Sequence, residues 1–372
     1  MSKTAKILYL ITRPDLGGAQ SHVRDLLQGF CEKYEVHLAI GKEGALTEAV
    51  KTLPIKIHFL PSLARPINPI KDLQAVNQCK RLLKQLQPDL IHAHSSKAGI
   101  VARIAGKNCN IPTIFTAHGW GFSPGTPFLR RQIALVIEKI GAKLGNCVVC
   151  VSESDRTLAL ELGVGTPETL VTIRYGIENK PFPLANPEEE PPRLIMVARF
   201  NEQKDQTTLL HAIAQLKDTK IHLDLVGSGP SLKNCETLAQ RLKINDRVSF
   251  LGDRFDIPDL LGQSQIFVLS THYEGLPISI IEAMRSRLPV VATAVNGVPE
   301  EVDDQHTGFV VPHANVEALA SALRKLITNP QLRQKMGHSG RDKFIQQFTQ
   351  EIMLSKIINL YAECLNEKQG LK

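Results

Sequence analysis

The sequence predicts an α/β protein made of two doubly wound parallel-sheet domains facing each other across a cleft. Three observations carry that expectation. Apolar runs of four to seven residues alternate with longer amphipathic stretches along the whole chain. The alternation stops once, in the proline-rich stretch 179–192. The length, 372 residues, exceeds one ordinary core but suits two. Continuous apolar strands separated by helices are the pattern of a parallel sheet covered on both faces.

In the first half, strands are expected near 5–11, 36–40, 56–60, 89–93, 112–117, 147–151 and 170–173. Helical patterns fill 18–31, 70–87, 96–108, 128–145 and 153–162. The stretch 179–192 holds several prolines and three consecutive glutamates, which disfavour a packed element, so it is read as a linker. The alternation then restarts. Strands are expected at 193–198, 221–226, 247–251, 266–269, 289–293 and 308–311, and helices at 205–217, 231–243, 277–287, 315–328 and 330–347. A final helix spans 349–366. The expected domains are 1–178 and 193–348.

Composition narrows the function. Apolar residues make up 43% and charged residues 22%, values of a globular chain. The apolar run at 5–11 is too short for a signal-peptide core and reads as a buried strand. No stretch is long enough to span a bilayer. Seven scattered cysteines have no framework spacing and suit a reducing cytoplasm. Cys147 and Cys150 share one strand and should point to opposite faces. The net charge of +7 is uneven: residues 1–178 hold 22 Lys/Arg against 14 Asp/Glu, and the remainder 22 against 23. Two readings stand for the basic half. It is an ordinary solvated surface, or a face that meets an anionic membrane or a phosphorylated acceptor. Nucleic acid is not expected as a partner, because no recognised binding motif accompanies the charge.

Four constellations could carry chemistry. In the first, a buried strand ends at Leu269, a turn holds Glu274, Gly275, Leu276 and Pro277, and a helix begins. Proline suits the start of a helix, and the amides of Ile278 and Ser279 then form an anion site aided by the helix dipole. Glu274 and Glu282 flank that site, and carboxylates accept hydrogen bonds from hydroxyls. Phosphate on amides with hydroxyl-rich groups on each side describes a nucleotide sugar. The alternative is a loop glutamate and a solvated helix glutamate. In the second, Arg199 and Lys204 lie on one strand-to-helix loop and can neutralise a pyrophosphate. In the third, Gly17 and Gly18 open the first helix, and Gly227 lies in a similar glycine turn; both lack the spacing of a dinucleotide fingerprint. In the fourth, His92, His94 and His118 sit at strand ends, where a histidine facing a cleft can donate to phosphate or sugar. They and the nearby carboxylates supply no obvious metal set, so no metal ligand is assigned.

The ordered set Gly17-Gly18, His118, Arg199-x4-Lys204 and Glu274-x7-Glu282 with Gly275-Leu276-Pro277 resembles the retaining glycosyltransferases of family 4, which have the GT-B fold of two Rossmann-like domains. The stretches 92–99 and 116–121 are similar to members that build cell-surface polysaccharides on lipid carriers. The resemblance implies that Arg199 and Lys204 bind the donor diphosphate, Glu274 the transferred sugar and Glu282 the ribose. It implies that amides around Gly275, Ile278 and Ser279 hold phosphate, that Gly17 and Gly18 bring the first helix near it, and that His118 sits near the reacting sugar. Arg254 falls where the family lines its base pocket, and the final helix crosses back onto the first domain. Three positions depart from the family pattern: Gln20, Asp205 and Asn296.

The expected reaction is transfer, with retention, from a nucleotide sugar, UDP-linked by resemblance, to a lipid-linked or glycan acceptor. No cofactor or metal is required for it. A peripheral location on the inner face of the plasma membrane would follow from the second reading of the basic half. The alternative activity is a nucleotide-sugar epimerase of the same fold, which would act on the donor alone.

Overall fold

The computed structural model describes residues 4–15 and 17–370, with side chains to Asn366. It divides into two compact units. Unit 1 comprises residues 1–175 and 350–372, and unit 2 comprises 176–349.

Unit 1 runs β1 (Lys6–Ile11), α1 (Gly18–Phe30), β2 (Glu35–Ile40), α2 (Ala45–Val50), β3 (Lys56–Phe59), α3 (Pro69–Leu86), β4 (Leu90–His94) and α4 (Ser96–Cys109). It continues through β5 (Thr113–Ala117), α5 (Phe128–Ala142), β6 (Cys147–Cys150), α6 (Glu153–Glu161) and β7 (Leu170–Thr172). Its parallel sheet has the order β3-β2-β1-β4-β5-β6-β7. Alternation along β1 explains why the run is wholly apolar. Leu8 and Leu10 join the core on one face, while Ile7, Tyr9 and Ile11 join the core on the other. Cys150 and Cys147 divide between the same two cores, and among the described residues no two cysteines form a disulfide.

Unit 2 runs β8 (Arg193–Val197), α7 (Gln206–Gln215), β9 (His222–Val226), α8 (Leu232–Leu242), β10 (Val248–Gly252), α9 (Ile257–Gly262) and β11 (Ile266–Leu269). It ends with α10 (Ile278–Arg285), β12 (Val290–Thr293), α11 (Val298–Glu301), β13 (Gly308–Val311), α12 (Val316–Ile327) and α13 (Pro330–Gln347). Its parallel sheet has the order β10-β9-β8-β11-β12-β13. Local chemistry sets the helix starts: Asp205, Asn315 and Asn329 each accept a backbone N–H at the first turn of α7, α12 and α13.

In each sheet the strand order reverses once, between β1 and β4 and between β8 and β11. Ligands of such sheets bind beyond the carboxyl ends of the strands at that reversal. The loops after β8 and β11 carry Arg199, Lys204 and Glu274, and the segments after β1 and β4 carry Gly17, Gly18 and Ser95.

A last helix, α14 (Gln350–Gly370), belongs to unit 1. Met353, Ile357, Leu360, Tyr361 and Cys364 join the same core as Tyr9. A Cβ added to Gly29 of α1 would lie 2.4 Å from the Leu354 side chain, so the two helices touch where α1 has no side chain. The stretch 179–192 forms no helix or strand but is anchored within unit 2. Arg333, fully buried, donates to the Pro187 carbonyl and to Glu190, and the Arg285 guanidinium lies 3.4 Å from the Phe182 ring centroid. Three short helices, α2, α9 and α11, were not anticipated by periodicity. They hold 6, 6 and 4 residues, too few turns for an amphipathic repeat to show.

Candidate active site

At the β8/β11 reversal, two loops are stitched together by backbone bonds. The Asp205 amide donates to the Ser270 carbonyl at 3.0 Å and the His272 amide to the Gln203 carbonyl at 2.8 Å, with Lys204 and Thr271 forming an antiparallel bridge. This brings Lys204 onto Glu274, 70 positions away: Lys204 Nζ donates to Glu274 Oε1. Thr271 Oγ1 donates to the same oxygen at 2.9 Å, and Gln203 Nε2 to Oε2 at 3.3 Å. Glu274 is 8% exposed. A buried carboxylate needs such partners, because desolvation otherwise outweighs its value as an anion. The sequence suggested two separate ligands, one for phosphate and one for sugar. The structure adds that they are an ion pair, so each fixes the other's position.

Arg199 stands apart from that pair. It is exposed, and among the described residues its guanidinium makes no hydrogen bond or ion pair. Pro277 caps α10, its carbonyl accepting from Ile280 at 3.0 Å. The amides of Ile278 and Ser279 precede that donor, at the end of the helix where intrahelical acceptors are lacking. Gly275, Leu276 and Pro277 are buried in the turn between Glu274 and the helix, and Glu282 is half-buried in the second turn. The β11-to-α10 segment thus carries two carboxylates and two helix-start amides, and the neighbouring β8-to-α7 loop carries Lys204 and Arg199.

The glycine turn after β9 supports this region by shape. Gly227 has φ +128° and Gly229 φ +149°, and a Cβ at either would meet the Ala198 or Phe200 carbonyl oxygen at 2.3 or 2.1 Å. The loop carrying Arg199 lies directly against them. The Gly227 N–H already donates to the Gly252 carbonyl at 2.7 Å, so its contribution is close approach rather than a free amide. Arg254 is held by Asp256 in a two-pronged ion pair, at 2.7 and 2.5 Å.

The β1/β4 reversal of unit 1 is built differently. Gly17 precedes α1 in an extended conformation, and Gly18 begins the helix. Behind them lie His22, His92, His94 and His118. His92 bonds Tyr361 through Nδ1 at 2.6 Å and Thr116 through Nε2 at 2.7 Å. His118 bonds the Tyr175 hydroxyl through Nδ1 at 2.5 Å, and its Nε2 meets His94 Nδ1 at 3.1 Å. Burial pushes the His22 pKa down to about 3. His92, His94 and His118 are held well below the usual imidazole value, first by burial and then by neighbouring histidines, His22 among them. All four are neutral rings at neutral pH. His118 was expected as a donor to substrate, yet both its nitrogens are engaged, so that role requires it to exchange one of these bonds.

Models of two families match successive parts of the chain: "Glycosyltransferase Family 4" over residues 16–179 and "Glycosyl transferases group 1" over 178–343. The chain belongs to glycosyltransferase family 4. The transferase has the GT-B fold and uses a nucleotide-sugar donor. It is 27% identical to the Escherichia coli UDP-Gal:alpha-D-GlcNAc-diphosphoundecaprenol alpha-1,3-galactosyltransferase, covering 98% of each chain. It is 25% identical to a capsular polysaccharide biosynthesis glycosyltransferase of Staphylococcus aureus, over 84% of this chain and 86% of that one. Among solved structures it superposes on Anabaena HepE, crystallised with UDP and glucose, at a TM-score of 0.84 and 21% identity, covering 96% and 99% of the two chains.

Several residues of the transferase's site escaped the sequence reading. Thr271 and Gln203 pin Glu274, but polar loop residues carry no pattern of their own. Tyr175 and Tyr361 complete the histidine network from 57 and 269 positions away. Glu301 is fully buried near Glu274, and among the described residues neither carboxylate oxygen has a hydrogen-bond partner. Burial, and then the charge of Glu274, hold its pKa well above the carboxylate range. In sequence it is only the second of two glutamates.

Proposed function

We infer that this transferase moves a hexose, with retention, from a UDP-linked donor to a lipid-diphosphate-linked or glycan acceptor in cell-surface polysaccharide assembly. The observation that carries the reading is the Lys204–Glu274 pair at the β8/β11 reversal, with the start of α10 following Glu274 and Arg199, unpartnered among the described residues, on the Lys204 loop. Arg199 and Lys204 would take the diphosphate, whose charge grows as the glycosidic bond breaks, and the α10 amides would share it. Fixed cations and oriented amides stabilise such a charge without reorganising. Glu274, held by Lys204, Thr271 and Gln203, would accept sugar hydroxyls, and Glu282 ribose hydroxyls. Gly275, Leu276 and Pro277 shape the turn, Gly17 and Gly18 let a phosphate approach α1, Gly227 supports the Arg199 loop, and Arg254 borders the base. His118 would face the sugar. The relative with a diphosphoundecaprenol-linked acceptor, matched along 98% of both chains, supports the acceptor class.

One surface of unit 1 suits a lipid-borne acceptor. Leu129, Ile133, Val136 and Ile140 of α5 are 72%, 45%, 56% and 54% exposed. Their spacing puts them on one helix face. The opposite side holds Glu138, buried against Arg103 at 2.7 Å. Arg130 and Lys139, both exposed, flank the apolar stripe, a combination that suits the surface of an anionic membrane. Among the described residues no helix is long and apolar enough to cross a membrane.

Incubation of the enzyme with labelled UDP-hexoses and a polyprenyl-diphosphate sugar tests the reading. A disaccharide product with the donor's anomeric configuration is expected. Conversion of the donor to an epimer without acceptor would replace it with the alternative activity. Sedimentation with phosphatidylglycerol vesicles, weakened by salt and by Val136→Asp, tests the membrane surface; equal binding to phosphatidylcholine vesicles would refute it.

A further inference from the structure

We propose that Asp205, His272 and His313 form a binding site for one divalent transition-metal ion, with Zn2+ the best match. A carboxylate oxygen of Asp205 and one ring nitrogen from each histidine lie within 4.8 Å of one another. They come from three segments of unit 2: the start of α7, the loop after β11 and the loop after β13. Two imidazoles and a carboxylate are the ligand types that borderline divalent ions select, and three protein ligands leave a coordination position for water.

Two details favour a ligand over a chance cluster. Asp205 is 5% exposed; its Oδ1 caps α7 through Thr208, while Oδ2 is buried with no hydrogen-bond partner among the described residues. A buried carboxylate oxygen without a donor is costly, and a cation would satisfy it. The histidine rings also face each other directly, His272 Nδ1 lying 2.5 Å from His313 Nε2. Tetrahedral bonds of about 2.0–2.1 Å put ligand atoms about 3.3 Å apart, so an ion between the rings asks them to separate by roughly 1 Å. His313 is exposed and His272 half-buried, and both can move that far.

The site would act as a clasp. Asp205 follows Lys204 directly, and His272 precedes Glu274 by two residues. An ion joining them would add a bond beside the backbone bridges that already hold the Lys204 and Glu274 loops together. No recorded partner orients the outer ring nitrogens among the described residues, so the affinity should be below that of a closed structural zinc site.

The test measures metal directly and is independent of donor and acceptor. The full chain, stripped with chelator and dialysed against Zn2+, is analysed for bound metal, and its Co2+ form is examined for the visible absorption of a tetrahedral complex. One ion per chain is expected, with Zn2+ affinity falling at least 10-fold in His272→Ala and in His313→Ala. Asp205→Asn, which keeps an acceptor for the helix cap, should weaken it likewise. Each variant should melt like the parent in chelator, which excludes misfolding as the cause. A chain that binds no Zn2+, or a His272→Ala/His313→Ala double variant that binds as the parent does, would overturn the assignment; the second result would move the ion elsewhere, the unit 1 histidines being the obvious place.

Discussion

The two sheet reversals solve opposite electrostatic problems with the same topology. At β1/β4 the site is lined by buried neutral rings and hydroxyls, several of them bonded to one another, as in the pair Tyr9–Tyr361 at 2.9 Å and the bonds of His92 and His118. At β8/β11 the groups are formal charges: Lys204 on Glu274, with Arg199 open to solvent. On the proposed reading, a donor diphosphate needs fixed cations, and an acceptor hydroxyl can be met by neutral partners. The contrast follows from what each unit would bind rather than from the fold they share.

The largest effect expected from breaking this contrast is at Lys204. Lys204→Ala should lower kcat/KM by about 10²–10³-fold. It should also cost about 3–5 kcal/mol of stability, because Glu274 stays buried without its cation. A Lys204→Met/Glu274→Gln double variant should recover most of the stability, read by denaturant melts, while remaining inactive. Recovery of activity in the double variant would remove the pair from the mechanism.

Acid should separate the units next. The unit 1 histidines have folded pKa values below the unfolded value of about 6.5. The unfolded chain then binds more protons, so stability is present above about pH 6.5 and is lost as pH falls towards the folded value, about 3 for His22. At pH 5, His22 alone should cost about 2 kcal/mol. Hydrogen exchange should therefore show β1 and β4 losing protection before β8 and β11. Glu301 in unit 2 has the opposite sign: its folded pKa is raised, so its contribution to stability falls as pH rises from the unfolded value of about 4.3. Glu301→Met should stabilise the protein by about 1–3 kcal/mol at pH 7, with the gain shrinking below about pH 4 in thermal melts.

Smaller effects should follow from single neutral hydrogen bonds. Tyr175→Phe removes the partner of His118 Nδ1 and should lower kcat about 10-fold, one hydrogen bond's worth, with little change in KM for the donor. Arg254→Ala, at an exposed ion pair with Asp256, should change stability by less than about 1 kcal/mol, measured by the same melts.

Much of this was legible in the chain because buried parallel strands read as continuous apolar runs, and every expected strand has its counterpart among β1 to β13. Arg199, Lys204 and Glu274 were legible because strand ends expose chemistry at fixed places. Their mutual pairing was not, since it depends on two loops 70 positions apart closing on each other. Gly227 looked like a phosphate turn and proved also to be the clearance for the Ala198 carbonyl. Asp205 registered only as a departure from pattern, and His272 and His313 not at all. Nothing local links residues that meet only when β8, β11 and β13 lie side by side.

The discontinuity of unit 1 bears on how the chain is made. Tyr361, which receives Tyr9 and His92, lies 352 positions after Tyr9, and α14 leaves the ribosome after the whole of unit 2. Unit 2 is a continuous stretch, 176–349, and can finish folding while unit 1 still lacks one of its covering helices. Synthesis from the N-terminus ordinarily completes the first domain first. Here the order of completion is reversed, and until translation reaches α14 the part of the Tyr9 core that this helix covers stays an apolar surface open to a nascent-chain chaperone.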